Sequence, residues 1–358
     1  MNRTLRTRAV AAGASLLIAT VLASCAKSED DTSGGSSGGS GADAAQQVAG
    51  RNGGDCTLDQ YGAKKMDLAD ATVGFSQSEK EANPFRIAET QSMKDEAKKR
   101  GITLETTNAN SQLPKQIADI RTLLTKGVDV LIVAPLNSSG LEPALDAAAQ
   151  KGVPVITVDR KLDSGFCQNW VTFIGSNFEE QGHRAAKALI DATGGKGNVA
   201  ILLGSSGNNV TTDRTKGFVD ELEASAPDMK IVAQQTGDFA RDKGQQVTEQ
   251  LLQANPDISA IYAENDEMGI GALTAIQDAG KEPGKDVKVV SIDGTRNAVQ
   301  EIVDGRMNGV IESNPRFGPL AFQVAEDFLS GKTVKENVVI KDRAYDESNA
   351  EDDVDSAY

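Results

Sequence analysis

The chain has 358 residues, of which 39% are hydrophobic and 25% charged, and its formal charge is −15. A surface this acidic repels nucleic-acid phosphates and anionic membranes, so neither is an expected partner. No cluster of His, Cys and carboxylate residues has metal-ligand spacing, and neither a metal nor another cofactor is expected.

In chain order, Arg3, Arg6 and Arg8 come first and an apolar stretch from Ala9 to Leu22 follows. That stretch has the length of a secretory signal core and is too short and Ala/Gly-rich for a membrane span. It ends in Leu22-Ala23-Ser24-Cys25, which resembles the lipobox of bacterial lipoproteins, where cleavage leaves the cysteine as a diacylated N-terminus. This predicts a removed leader over residues 1–24, lipidation of Cys25, and a protein anchored at the extracytoplasmic face of the cell membrane. An ordinary secretory signal with an incidental cysteine is the competing reading. Residues 27–54 are rich in Gly, Ser and Asp and contain almost no bulky apolar residue. Such a segment cannot offset its ordering entropy by burial, and residues 25–68 as a whole are read as a flexible tether. Two further cysteines, Cys56 and Cys167, predict one disulfide in an exported chain, with two free thiols as the alternative.

About 290 residues remain for folding, enough for two ordinary domains. Strands are predicted at Thr72–Phe75, Ile102–Glu105, Val128–Val133, Val153–Val158, Thr172–Ile174 and Asn198–Leu203. Further strands are predicted at Lys230–Gln234, Ile258–Ala263, Val287–Ile292, Gly309–Glu312 and Val334–Ile340. Runs such as VDVLIV, VPVITV and VAILL are apolar on both faces, as a parallel strand covered by helices on both sides must be. The stretches between them carry the helical period: Leu113, Ile117, Ile120 and Leu124 make one apolar stripe. Asn83-Pro84 reads as a helix cap followed by proline at the first helical position, and Gly101, Gly127 and Gly152 read as helix ends. Strand–helix alternation with short connections predicts an α/β protein of two doubly wound parallel-sheet lobes, roughly 70–174 and 176–312, followed by a helix (315–330) and a strand (334–340).

In open parallel sheets the strand carboxyl ends line the functional cleft. Those ends carry Asn83, Phe85 and Arg86, then Asp159-Arg160, Asp213-Arg214, Asp238-Phe239, Glu264-Asn265-Asp266, Asp293-Gly294 and Ser313-Asn314. Carboxylates, amides and guanidinium forks hold hydroxyls in bidentate arrays, and aromatic rings stack on the apolar C–H faces of a sugar, so the set suits a neutral polyol. Taken singly, each residue could as well cap the next helix.

Catalytic readings do poorly. His183, the one histidine, falls within a predicted helix, and Gly204-Ser205-Ser206-Gly207 lacks the spacing of a nucleophile elbow. Ser330-Gly331-Lys332-Thr333 ends like a phosphate loop, but Glu326 stands where its first glycine should be. Asp159 and Asp293 could in principle cleave a glycoside, yet each has a cationic or amide neighbour better suited to binding.

At these positions the chain resembles periplasmic sugar-binding proteins of the ribose type, which share their core with LacI-like repressors. The resemblance spans about Thr72 to Arg343 and rests on NPF at 83–85, GVDVLIVAP at 127–135, PVITVDR at 154–160, DRTKGF at 213–218, GDFARDKG at 237–244, AENDEMGIGAL at 263–273 and SIDG at 291–294. It implies ligand contacts from Asn83, Phe85, Asp159, Arg160, Arg214, Phe239, Asn265 and Asp293. Arg86 and Ala134 stand where ribose binders carry phenylalanine and asparagine, and Ser313 and Ile292 also depart from the ribose pattern. Arg86 and Ala134 match the galactofuranose-binding branch instead, and Arg86 joins the expected site. The resemblance further implies a three-strand hinge, with an N-terminal lobe of 69–175 and 315–340 and a C-terminal lobe of 176–314 and 341–352. The expected function is a monomeric, non-enzymatic binding protein that passes a monosaccharide to the permease of an ABC-type importer. A sugar-sensing input protein for a membrane receptor is the alternative within binding. A repressor would need a helix-turn-helix and a cytoplasmic address, and an exported glycosidase is the enzyme alternative.

Overall fold

The computed structural model describes residues 46–358; the leader, Cys25 and most of the expected tether lie outside them. The first sheet contains β1 (Val48–Cys56), β2 (Thr72–Gln77), β3 (Thr103–Asn108), β4 (Val130–Val133), β5 (Val155–Val158), β6 (Thr172–Gly175) and β12 (Val334–Ile340). Their order is β1-β12-β6-β5-β4-β2-β3, parallel except for β1. The second sheet contains β7 (Gly197–Leu203), β8 (Met229–Thr236), β9 (Ile258–Ala263), β10 (Lys288–Asp293), β11 (Gly309–Glu312) and β13 (Ala344–Tyr345). Its order is β13-β11-β10-β9-β7-β8, with only β13 antiparallel. Each of the eleven expected strands is present.

The runs apolar on both faces explain the layering. Along β4, Val130 and Ile132 enter one core while Leu131 and Val133 enter the core on the opposite face. Helices α2 (Pro84–Arg100), α3 (Leu113–Lys126), α4 (Glu142–Gln150) and α10 (Gly318–Leu329) accompany the first sheet. The second carries α5 (Phe178–Thr193), α6 (Asn209–Ser225), α7 (Arg241–Ala254), α8 (Asp266–Asp278) and α9 (Arg296–Val303). The cap signals act as expected. Asn83 Oδ1 accepts from Arg86 N at 2.9 Å with Pro84 opening α2, and Gly101 and Gly127 end α2 and α3 in left-handed conformations.

The tether reading needs correction over residues 46–68. Val48–Cys56 forms β1, antiparallel to β12 from Val48 opposite Ile340 to Cys56 opposite Val334. A short helix α1 (Leu58–Tyr61) and a 3₁₀ turn at Leu68–Asp70 follow. Within β1 only Cys56 is buried, so the strand is held by ladder hydrogen bonds and left no apolar pattern to read. It covers what would otherwise be the free edge of β12.

Three segments cross between the sheets, after β6, after β11 and after β12. They meet at one polar knot. Ser176 Oγ donates to Asp342 Oδ1 at 3.0 Å and lies 3.5 Å from Ser313 Oγ, and Gln181 Nε2 donates to Asp342 Oδ2 at 2.8 Å. Burial pushes the Asp342 carboxyl up to about 7, against its hydrogen bonds from Gln181 and Ser176. Away from the knot the lobes touch directly: Ser138 N donates to Gly207 O, Asn209 N to Ser138 Oγ and Lys161 N to Asn209 Oδ1, all within 3.0 Å. The lobes are closed on one another.

Candidate functional site

The carboxyl ends of β2, β5, β7, β9 and β10 face a cavity between the lobes, lined by Glu79, Asn83, Phe85, Arg86, Asp159 and Arg160 on one side. Val210, Arg214, Phe239, Asn265 and Asp293 line the other. With the lobes closed, its cavity volume is about 30 Å³. All nine residues expected at a ligand site thus lie around one cavity. Glu79 and Val210 were not expected.

Strained backbone presents three of these side chains. Asp159 (φ 65°), Phe239 (φ 59°) and Asp293 (φ 147°) take positive φ values that any residue with a Cβ disfavours, and such residues concentrate at functional sites. The loop after β10 is fixed from behind by buried Asp266, whose Oδ2 accepts from Gly294 N, Thr295 N and Thr295 Oγ1 at 2.7–2.9 Å. The Phe239 ring lies against the backbone after β7. A Cβ on Gly204 would come within 2.0 Å of Phe239 Cζ, which gives the Gly-Ser-Ser-Gly stretch a structural reason.

Four carboxyls interlock with three guanidiniums. Arg86 Nε donates to Glu79 Oε2 at 3.0 Å, while its Nη1 is 2.8 Å from both Glu89 Oε2 and Asp159 Oδ2. Arg160 Nη2 donates to Glu79 Oε1 at 2.6 Å and Nη1 to Leu136 O at 2.8 Å. Across the cleft, Arg214 Nε donates to Gln181 Oε1 at 2.9 Å and its Nη1 to Glu264 O, leaving Nη2 3.5 Å from Asp293 Oδ1. Burial pushes the Glu79 carboxyl up, but Arg160 and Arg86 outweigh it and hold the group down to about 2. Burial moves Glu89 up to about 7 and Asp293 well above the carboxylate range, with Arg86 and Arg214 respectively opposing. The cavity wall is therefore rich in fixed dipoles and close to charge balance.

Each guanidinium keeps one nitrogen that makes no hydrogen bond among the described residues. Arg160 Nε is buried and faces only Asp159 Oδ2 at 3.7 Å, Arg214 Nη2 faces Asp293 Oδ1 at 3.5 Å, and Arg86 Nη2 has no hydrogen-bond partner among the described residues. These are the donors left for a ligand. The amides are more committed: Asn83 and Asn265 cap α2 and α8, and Asn265 Nδ2 also donates to Phe239 O at 3.2 Å. Phe85 is buried, with Arg86 Cζ 5.0 Å from its ring centroid and Phe317 edge-on at 6.5 Å. Cys56 and Cys167 are joined as a disulfide, their Cα atoms 5.4 Å apart. His183 lies on α5, 3.5 Å from Glu221 and outside the cavity lining.

Residues 73–333 match the model of the periplasmic binding protein domain family. The chain belongs to that family. Among curated members, this periplasmic binding protein is 36% identical over 276 residues to the galactofuranose-binding protein YtfQ of Escherichia coli (strain K12), covering 76% of the chain and 86% of the relative. It is equally 36% identical to the ribose import binding protein RbsB of Bacillus subtilis (strain 168), over 75% of the chain and 84% of the relative. Among solved structures it matches the binding protein of the arabinose ABC transporter from Shewanella sp. ANA-3, bound to α- and β-L-arabinofuranose. That match has a TM-score of 0.76 and 35% identity over 79% of the chain and 94% of the neighbour. Its relatives are substrate-binding proteins of transporters, not enzymes. The two-lobed parallel-sheet architecture is theirs too. Among the described residues no helix is long and apolar enough to cross a membrane.

Strand-end reading could not find Glu79, because it sits beyond β2 in Ser78-Glu79-Lys80, where a glutamate looks like a solvated surface residue. Its meaning comes from Arg86 and Arg160, and the second of these is 81 residues away. Val210 lies in the first turn of α6, where an apolar residue reads as core.

Proposed function

We propose that this periplasmic binding protein takes a neutral monosaccharide, in a furanose form, into the interlobe cavity for an ABC-type importer. The observation that carries the reading is the set of three guanidiniums from both lobes, each held by carboxylate, amide or backbone oxygens and each with one nitrogen that makes no hydrogen bond among the described residues. A preorganised donor array of this kind recognises hydroxyls without reorganising, which is where affinity for a small polar ligand comes from. The near balance of charge argues for a neutral ligand over an acidic or cationic one. The furanose preference is supported by Arg86 and Ala134 and by the ligands named for the E. coli and Shewanella relatives. The ribose protein's equal identity keeps pentoses in the tested set. Membrane attachment through Cys25, on a tether preceding β1, completes the proposal. It predicts that Cys25→Ala frees the protein from membranes, whereas retention after signal cleavage would contradict lipid anchoring.

A thermal-shift screen over pentoses and hexoses, including furanose-locked glycosides and charged sugars, tests the ligand class. Stabilisation by neutral furanoses is expected. A response confined to sugar acids or amino sugars, or to none, would overturn the reading.

A further inference from the structure

Two consecutive residues near the end of the chain insert into different lobes. Ala357 is buried in the core of the C-terminal lobe, whereas the ring of Tyr358 packs against the core of the N-terminal lobe. The backbone of this tail is fastened to the C-terminal lobe. Arg296 N donates to Tyr358 O at 2.7 Å, Arg296 Nη2 to Asp355 O at 3.0 Å, and Arg343 Nη1 to Ser356 Oγ at 2.7 Å. The Tyr358 ring then stands edge-on to Phe85 of the other lobe, with centroids 6.2 Å and planes 79° apart. The Arg316 guanidinium lies 6.0 Å from the same ring. Phe85 lines the cavity; Tyr358 is not among the lining residues.

We propose that Tyr358 is an interlobe latch, a positioning residue that favours lobe closure and so sets sugar affinity without touching the sugar. Separation of the lobes has to draw the ring away from Phe85, because its backbone moves with α9 and β13. Edge-to-face aromatic pairs and cation–ring contacts both favour keeping it there. The hydroxyl is shielded from solvent and has no partner among the described residues, so the ring, not the hydroxyl, does the latching. Affinity for any ligand of the closed state scales with the fraction of free protein already closed. A latch therefore changes all affinities by one factor.

This inference rests on the sugar-binding reading only for its affinity measurement. The test compares wild type, Tyr358→Phe, Tyr358→Leu and Tyr358→Ala by small-angle scattering and an interlobe fluorescence distance in the ligand-free protein, then by calorimetry with several sugars. Tyr358→Leu keeps an apolar plug should the alanine variant fold poorly. The leucine and alanine variants are expected to be more open when free and to bind every sugar about 2- to 10-fold more weakly, with unchanged preference. Tyr358→Phe is expected to close and bind at least as well as wild type, since it keeps the ring and removes a buried hydroxyl whose desolvation no partner offsets. Free-state dimensions identical to wild type in both the leucine and alanine variants would overturn the latch. So would a loss confined to particular sugars, which would make Tyr358 a ligand contact. If wild type binds no sugar, the functional reading falls, while the free-state comparison still decides the latch.

Discussion

Arg160 concentrates the logic of the site in one side chain. It is 1% exposed, pairs with Glu79, donates to Leu136 O and keeps Nε spare. Removing it outright would leave Glu79 without its partner, so an alanine variant mixes binding with stability. Arg160→Lys is the cleaner probe: it keeps the charge beside Glu79 and deletes the planar fork. Hydrogen bonds to charged groups contribute about 1.5–3 kcal/mol, so losing the one from Nε predicts binding weaker by roughly 10- to 100-fold. Calorimetry with the best ligand of the screen checks this, and affinity within about threefold of wild type would remove Arg160 from the contact set. Glu79 adds a pH expectation. Its folded pKa is about 2, below the ordinary 4.5, so its contribution is complete above about 4.5 and lost as pH falls toward 2. Melting temperatures of Glu79→Gln and wild type should therefore draw together as pH falls from about 4.5 toward 2. Asp159, Arg160 and Asp293 were legible because they end strands that announce themselves by apolar runs. Glu79 was not, because its partners are distant in sequence.

At the scale of elements, the parallel strands and capped helices could be read from the chain since burial and cap chemistry write themselves into local pattern. β1 could not, because a strand held by backbone bonds on an exposed edge needs no apolar period. Its role is tied to the Cys56–Cys167 bond, which closes a loop with a sequence separation of 111 and clamps β1 to the segment that starts at Asp159-Arg160. The chain-entropy model gives about 4–5 kcal/mol for a loop of that length. A Cys56→Ser/Cys167→Ser double variant is expected to lose 2–5 kcal/mol in denaturant unfolding, with weaker sugar binding from a looser 159–170 segment. A loss below about 1 kcal/mol would mean that the rest of the fold already holds β1. The hinge knot has its own signature. Asp342 has a folded pKa of about 7 against an ordinary 3.8, so the folded state holds more protons and stability falls as pH rises from about 4 to 7. Melting temperatures across that window should decline in wild type and decline less steeply in Asp342→Asn, where Glu89 and Glu264, also raised to about 7, keep part of the slope; parallel curves would exclude Asp342 as a contributor.

For the whole molecule, the account requires that neither lobe binds sugar by itself. Phe85, Asp159 and Arg160 belong to one wall, and Arg214, Phe239 and Asp293 to the other. A ligand spanning both favours closure by its differential contacts. The two-lobe design was legible from alternation and strand-end chemistry. The closed geometry and the tail that bridges it were not, since they depend on contacts between segments with no shared local pattern. The most direct test is titration calorimetry of wild type, Arg160→Lys and Arg214→Lys against one neutral furanose from the screen. The account predicts one site per chain in wild type and a loss of roughly 10-fold or more from the variant in either lobe. Full affinity retained by one of the two variants would place the ligand on a single lobe and contradict it.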